Sequence, residues 1–488
     1  MLLIAFILLL VCIIYHLNRI LRICFHIKSF FDKKYSSSNG VKMRGKSIFD
    51  IDTDKSIEVR VESDKCKYGD IYYIYDGYQQ IIMIGSYVIA KKYLEQYSTT
   101  IRKYDYLGYV FQKLFKNCIG ANYGANWLTM KKPLNVFFNR AALEKNFPTL
   151  ILHIRDWITS NIKCGEPICL NSIGFDILTL KIMSQIVYGG LNDVLFNELL
   201  EIYNLHQKVM KIMAHDMILR LNIYPTQNSR VVDSLRDKWL IFNNNVKSSA
   251  ELKDLTCPYG DKVKNDMNVD SLFTNMVKMD AYNSIKLLQT LYEIVLFNAD
   301  IMLDAFVNVF TNISQSNITI KRICKECEQI DVLTDYRQID GLFFLACVIN
   351  ESARLNPGIV QTFAETITQP INLGHFQCSA GTKISLDTQM LNRDPDIWEH
   401  PHEFNPDRFS GTDSKKFYKY HRFGLGPRMC LGNIYADYVL KSVVVLVLDK
   451  FDLEFVNINT KQKEKNSRIS LQNMSENNLN GNLMFLRK

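Results

Sequence analysis

Hydrophobic and polar positions divide the chain into unequal stretches. Met1 to Tyr15 (MLLIAFILLLVCIIY) carries no charge, and apolar character resumes through Ile20, Leu21, Ile23 and Phe25. A polar stretch follows. Between Lys67 and Ile84, the β-rich runs Ile71–Tyr75 and Gln79–Ile84 flank Asp76-Gly77, a strong turn signal, which predicts a hairpin. From Val88 onward apolar residues recur at helical spacing, with Gly and Pro as sparse punctuation. The predicted helices are Val88–Gln96, Trp127–Phe138, Leu143–Thr159, Leu191–Leu219, Val231–Ser249, Ser271–Met279, Ser284–Thr311, Ile339–Leu355 and Ile434–Phe451. A strand-rich patch, Thr366 to Asp387, lies between the last two. The pattern predicts a mainly α fold with a small β portion.

Composition narrows this reading. The chain has 488 residues and is 47% hydrophobic, ordinary for a globular protein and far from disorder. No internal repeat or long linker offers a cut, so a single large domain over residues 35–488 is expected after an N-terminal segment, 1–34. Arg19, Arg22, Lys28, Lys33 and Lys34 all follow the first apolar run, no positive region precedes it, and no small-residue cleavage site ends it. An uncleaved single-pass anchor with the rest of the chain in the cytosol is therefore expected, in contact with membrane lipid. The net charge of +8 comes without clustered basic residues and interleaved aromatics, which argues against a nucleic-acid partner. The 12 cysteines are scattered rather than spaced as a disulfide framework, and Cys324-x-x-Cys327 has no second pair at zinc-site spacing.

The candidate chemistry gathers at Phe423-Gly-Leu-Gly-Pro-Arg-Met-Cys-Leu-Gly432. Gly424 and Gly426 permit a tight loop where backbone approaches a flat ligand. Cys430 precedes an apolar helix whose N-terminal amides can stabilise a thiolate. Arg428 offers forked donors to a carboxylate. This stretch resembles the cysteine-loop signature of the cytochrome P450 family, Phe-x-x-Gly-x-Arg-x-Cys-x-Gly, at all its fixed positions. A chance match somewhere in the chain is on the order of 10⁻⁴. The resemblance implies haem b (iron protoporphyrin IX) with Cys430 as the axial thiolate and metal ligand, Arg428 at a propionate and Phe423 packed beside the sulfur. Glu351-Ser-Ala-Arg354 and Asn405-Pro-Asp-Arg408-Phe precede the loop in the family's order, implying a buried charge network of Glu351, Arg354 and Arg408 that holds it. Trp127-Leu-Thr-Met-Lys131 is similar to the family's Trp-x-x-x-Arg helix, with Lys131 in place of the arginine; both side chains would meet a propionate. The resemblance runs from about Lys67 to the end of the cysteine helix.

The Ser284–Thr311 helix is expected to cross the distal face of the haem. Where the family has Ala-Gly-x-Asp/Glu-Thr, this chain has Phe297-Asn-Ala-Asp300-Ile301. Asp300 fits the acid and is the expected proton relay, with Asp304 as the alternative one turn on; Ile301 cannot supply the threonine's hydrogen bond. No proline precedes Pro133, and Ala364 stands near the position of a frequent propionate-binding arginine. The resemblance implies a microsomal-type monooxygenase, anchored at the endoplasmic reticulum, acting on a hydrophobic small molecule of lipid, sterol or terpenoid type. Its electrons would come from NADPH through a diflavin reductase. Two rivals remain: a peroxide-using, isomerase or dehydratase haem-thiolate enzyme, and a haem-binding protein without turnover.

Overall fold

A computed structural model describes residues 43, 45–46, 65–76, 79–97, 101–103, 108–215, 224–251, 271–279, 284–328, 330, 336–411, 422–424, 428–456 and 482–487. The expected N-terminal anchor, 1–34, lies outside the described residues. The elements run β1 (Gly45–Lys46), β2 (Ile71–Asp76), β3 (Gln79–Ile84), α1 (Tyr87–Tyr97), β4 (Ile101–Lys103), α2 (Gly108–Leu114), α3 (Gly124–Leu134), α4 (Arg140–Asn161) and β5 (Pro167–Cys169). Then come α5 (Phe175–Tyr188), α6 (Asp193–His215), α7 (Gln227–Glu251), α8 (Leu272–Val277) and α9 (Ser284–Tyr292). A π-helical turn, Glu293–Phe297, joins α9 to α10 (Asn298–Ser314). After α11 (Asn317–Cys327), α12 (Tyr336–Asp340) and α13 (Phe343–Leu355) come the short strands β6 (Glu365–Ile367), β7 (Ile371–Leu373), β8 (Phe376–Cys378) and β9 (Lys383–Leu386). The chain closes with α14 (Thr388–Leu391), α15 (Asn433–Lys450), β10 (Phe451–Val456) and β11 (Asn482–Arg487).

The β portion lies to one side. The predicted hairpin forms, Ile71 pairing with Ile84 and Asp76 with Gln79. It becomes part of a mixed sheet of order β1-β2-β3-β9-β6-β4, in which β3 and β9 run parallel. The strand-rich patch thus splits: β6 and β9 extend this sheet, while β7 and β8 form a two-stranded sheet of their own among the described residues.

The helical layers bury the main core. The combined α9–α10 run is apolar enough to cross a membrane by composition alone, but 72% of its most apolar window is buried in this core, as in the central helix of a packed domain. Trp157, Phe175, Phe306 and Phe310 stack where α4, α5 and α10 meet, with ring centroids 4.7 Å apart for Phe175 and Phe306. Each such buried ring contributes about 1.5–3 kcal/mol.

Departures from the predicted elements have local causes. The Ile339–Leu355 helix is two helices, α12 and α13, broken at Gly341. Phe451 does not end the last helix but starts β10, its backbone already extended. α5 was missed because it is buried on nearly every side, so its apolar residues show no amphipathic period. Cys324 and Cys327 lie on the amphipathic helix α11, half-buried against the core.

Candidate active site

Cys430 lies two residues before Gly432, the residue that caps the N-terminus of α15. Its backbone amide donates to the Phe423 carbonyl at 2.9 Å, which closes the loop on itself. Gly424 makes that closure possible: its φ of +75° is in the left-handed region, and open space surrounds the position of a Cβ. The Cys430 sulfur accepts from the Gly432 amide, and the residue is exposed, unlike the buried Cys118, Cys347 and Cys378. Surrounding protein still desolvates the thiol and pushes its pKa up; the Glu293 carboxylate acts in the same direction, while the Gly432 amide and Arg422 oppose it. Arg422 stacks over the Phe423 ring at 4.4 Å and pairs with Asp437 at 2.5 Å. Gly426 lies outside the described residues.

Two cations share one indole. The Arg428 guanidinium lies 4.4 Å from the Trp127 ring centre and the Lys131 ammonium 4.8 Å. Burial lowers the pKa of both, and Arg428 lowers that of Lys131 further. Like charges held together under partial desolvation favour an anionic ligand. The donor set, two cations beside a cysteine at a helix N-terminus, fits a haem with its two propionates. Ala364 is buried in a small cluster beneath the mixed sheet and adds no charge.

The expected charge network is complete. Glu351 and Arg354 are fully buried on one face of α13. Arg354 Nε donates to Glu351 Oε2 at 2.7 Å and Nη2 to Oε1 at 2.9 Å. Its remaining donors reach the carbonyls of Asn392 at 2.8 Å, Pro401 at 2.7 Å and Glu403 at 3.2 Å. Arg408 Nε, from a 3₁₀ turn at Pro406–Phe409, donates to Glu351 Oε1 at 3.0 Å, and the Asn405 amide to the same oxygen at 2.9 Å. Every charge here has several partners, the condition under which a buried ion pair is tolerable.

On the distal side, Asp300 is buried in α10 and engaged from α6. Tyr203 donates to Oδ1 at 2.7 Å, Gln207 donates to the same oxygen, and His206 Nε2 lies 2.9 Å from Oδ2. The other imidazole nitrogen meets the Tyr292 hydroxyl at 2.5 Å. Residues 203, 206 and 207 share one face of a helix, which is why they converge on one carboxylate. Tyr292 is fully buried, and burial, then Asp300, raises its phenol pKa. Asp304 is buried one turn on. Ile301 faces the segment after α13: its Cγ2 would lie 3.1 Å from a Cβ added at Gly358. Sequence reasoning missed the α6 donors, because a Tyr-x-x-His-Gln face on a helix is no signal until a buried acid stands opposite.

The cytochrome P450 family profile matches residues 46–479. Cytochrome P450 monooxygenase PUL2 of Kluyveromyces lactis is 24% identical over 433 residues, covering 81% of this chain and 80% of that protein. Cytochrome P450 monooxygenase opdB of Penicillium oxalicum is 25% identical over 364 residues, 71% of each chain. Cytochrome P450 3A29 of Sus scrofa is 24% identical over 425 residues, 80% of each. The structure titled retinoic acid bound cyanobacterial CYP120A1 shares the fold, with a TM-score of 0.71 at 15% identity over 88% of this chain and 94% of that one. On the breadth of the profile match, which takes in the hairpin, the charge network and the cysteine loop, this chain belongs to the cytochrome P450 family of haem-thiolate monooxygenases.

Proposed function

We propose that this chain inserts one oxygen atom into a hydrophobic small molecule of lipid, sterol or terpenoid type, using NADPH-derived electrons passed by a diflavin reductase. The observation that carries the reading is the placement of Cys430: its amide is tied to Phe423, its sulfur accepts from the Gly432 amide, and the residue is left exposed. Cys430 would ligate haem b, Arg428 and Lys131 on Trp127 would hold its propionates, and Phe423 and Gly426 would shape the loop beneath it. When bound, the haem supplies oxygen activation, with the thiolate pushing electron density toward O–O cleavage.

The chain's own residues supply the rest. Asp300 is the acid that would hold and hand on a proton, and Tyr203, His206 and Gln207 orient its carboxylate. Ile301 offers no hydroxyl, so an ordered water or the substrate itself would complete the relay. The same isoleucine favours a second reading, a haem-thiolate enzyme that uses peroxides or performs isomerisation or dehydration and needs no such relay. Reductase-supported NADPH consumption with product formation selects the first reading, and turnover with peroxide alone the second.

The primary test is spectroscopic. The reduced carbonyl complex should show the red-shifted Soret band of thiolate ligation. Cys430→Ala should abolish it, whereas Cys324→Ala and Cys327→Ala leave it intact; a Cys430→Ala protein that kept the band would refute the assignment. The uncharged run Met1 to Tyr15 with its basic flank further supports a single-pass anchor with a cytosolic catalytic domain. Deleting residues 1–34 should then release the protein from membranes with its haem, and a native N-terminus processed beyond residue 20 would contradict it.

A further inference from the structure

Gln289 and Glu293, one turn apart where α9 passes into the π-helical turn, both engage the segment of residues 113–122 that joins α2 to α3. Gln289 Nε2 donates to the Lys113 carbonyl at 2.8 Å, and its Oε1 accepts from the Asn117 amide at 2.6 Å and from Asn117 Nδ2 at 3.2 Å. Glu293 Oε2 accepts from the Gly120 amide at 3.1 Å, and the Cys118 thiol donates to the same carboxylate. Within the segment, Asn122 Nδ2 donates to the carbonyls of Asn117 at 2.9 Å and Cys118 at 2.8 Å, which keeps the turn folded.

The carbonyl end of Gly120 faces the cation pair. Its carbonyl accepts from Arg428 Nη2 at 3.1 Å, and that guanidinium is the one stacked on Trp127 beside Lys131. One residue, Gly120, therefore connects the distal helix to the cysteine loop, its amide on Glu293 and its carbonyl on Arg428. The approach is so close that a Cβ on Gly120 would collide with the Glu293 carboxylate. Glu293 reaches Arg428 through Gly120, and its field, after that of Glu365, offsets part of the desolvation of the guanidinium. The start of a π turn at Glu293 is in keeping with such a role, since these turns recur at functional sites.

We propose that Gln289 and Glu293 are positioning residues for the haem, a clasp that seats the 113–122 segment and, through Gly120, orients Arg428 toward a propionate. The proposal rests on the reading of Arg428 and Lys131 as the propionate-binding cations. The test is the rate at which the haem-loaded protein gives up its haem to excess apomyoglobin, with far-ultraviolet ellipticity followed over the same interval. Glu293→Ala and Gln289→Leu should each speed haem loss about tenfold while ellipticity holds. Glu293→Gln, which keeps an acceptor oxygen, should restore most of the retention. Gly120→Ala should speed haem loss in the wild-type background and add nothing once Glu293 is alanine. Additive effects of Gly120→Ala and Glu293→Ala, or haem loss that only follows loss of helix, would overturn the clasp. Should Gly120→Ala fail to accumulate, the contrast between Glu293→Ala and Glu293→Gln decides, equal rates counting against the proposal. Arg428→Ala is the separate arm: unchanged haem loss there removes the propionate reading itself, whereas faster loss there with normal clasp variants removes the clasp alone.

Discussion

The two sides of the site are held by different means. Beneath the cysteine loop, Glu351, Arg354 and Arg408 bind one another and a series of backbone carbonyls contributed by residues 392–403. On the distal helix, Asp300 is held by side chains alone, from a helix more than ninety residues earlier in the chain. The first arrangement reads the backbone of a contiguous stretch, so it survives wherever those short motifs keep their order. The second depends on α6 lying in register against α10, and any movement of α6 is felt by the carboxylate.

The comparison is broken most forcefully from the proximal side. Glu351→Ala or Arg408→Ala removes one member of the buried charge network and should cost about 3–5 kcal/mol, yielding little haem-loaded protein. Haem content per purified chain measures this; normal loading in both variants would mean that the network is not what holds the loop.

An acid titration sets a background against which both regions are judged. Burial, then Lys181, lowers the pKa of His153, in α4, to about 4. The unfolded chain takes up that proton near the ordinary value of 6.5 and the folded chain only near 4, so the unfolded state binds more protons between these values. Stability should therefore fall as pH drops from about 6.5 to about 4, by up to about 3 kcal/mol. Urea midpoints against pH check this, and His153→Gln should flatten the curve over that window. A curve that stayed as steep would show that His153 is not the acid-sensitive group.

Distally, Asp300→Ala leaves three α6 donors facing an apolar gap and should cost about 1–3 kcal/mol. His206→Leu should be damaging alone yet nearly silent in an Asp300→Ala background, a coupling of about 0.5–3 kcal/mol in a double-mutant cycle. Simple additivity would show that the two side chains do not hold each other.

Ile301→Thr should move stability least, within about 1 kcal/mol, because Ile301 is only partly buried. Its effect should appear in coupling: more product per NADPH and less released peroxide, measured with a turning-over substrate and a matched reductase. Tight coupling in the wild type, unaltered by the exchange, would place the missing hydroxyl on the substrate or another residue.

How much of this was legible in the linear chain follows the same division. Glu351, Arg354 and Arg408 sit in short motifs brought together by one helix and one turn, and Arg428 and Cys430 in one loop, so these groupings could be read before any fold was known. The hairpin and the amphipathic helices were legible because a half-buried element writes its period into the residue pattern. By contrast, α5 was not, because burial on all sides erases that period. Glu293, Gln289, Gly120 and the α6 donors of Asp300 were invisible for a further reason. Each gains its meaning from a partner about ninety residues or more away, and nothing in a lone glutamate, glycine or histidine announces the distance at which that partner will stand. The sequence by itself determined the family, the cysteine-loop motif and the members of the charge network, since those depend on local order and spacing. Only the tertiary structure decided which side chains engage Asp300, and which residue joins that helix to the cation pair. Those are questions of register between helices, and register is set by packing.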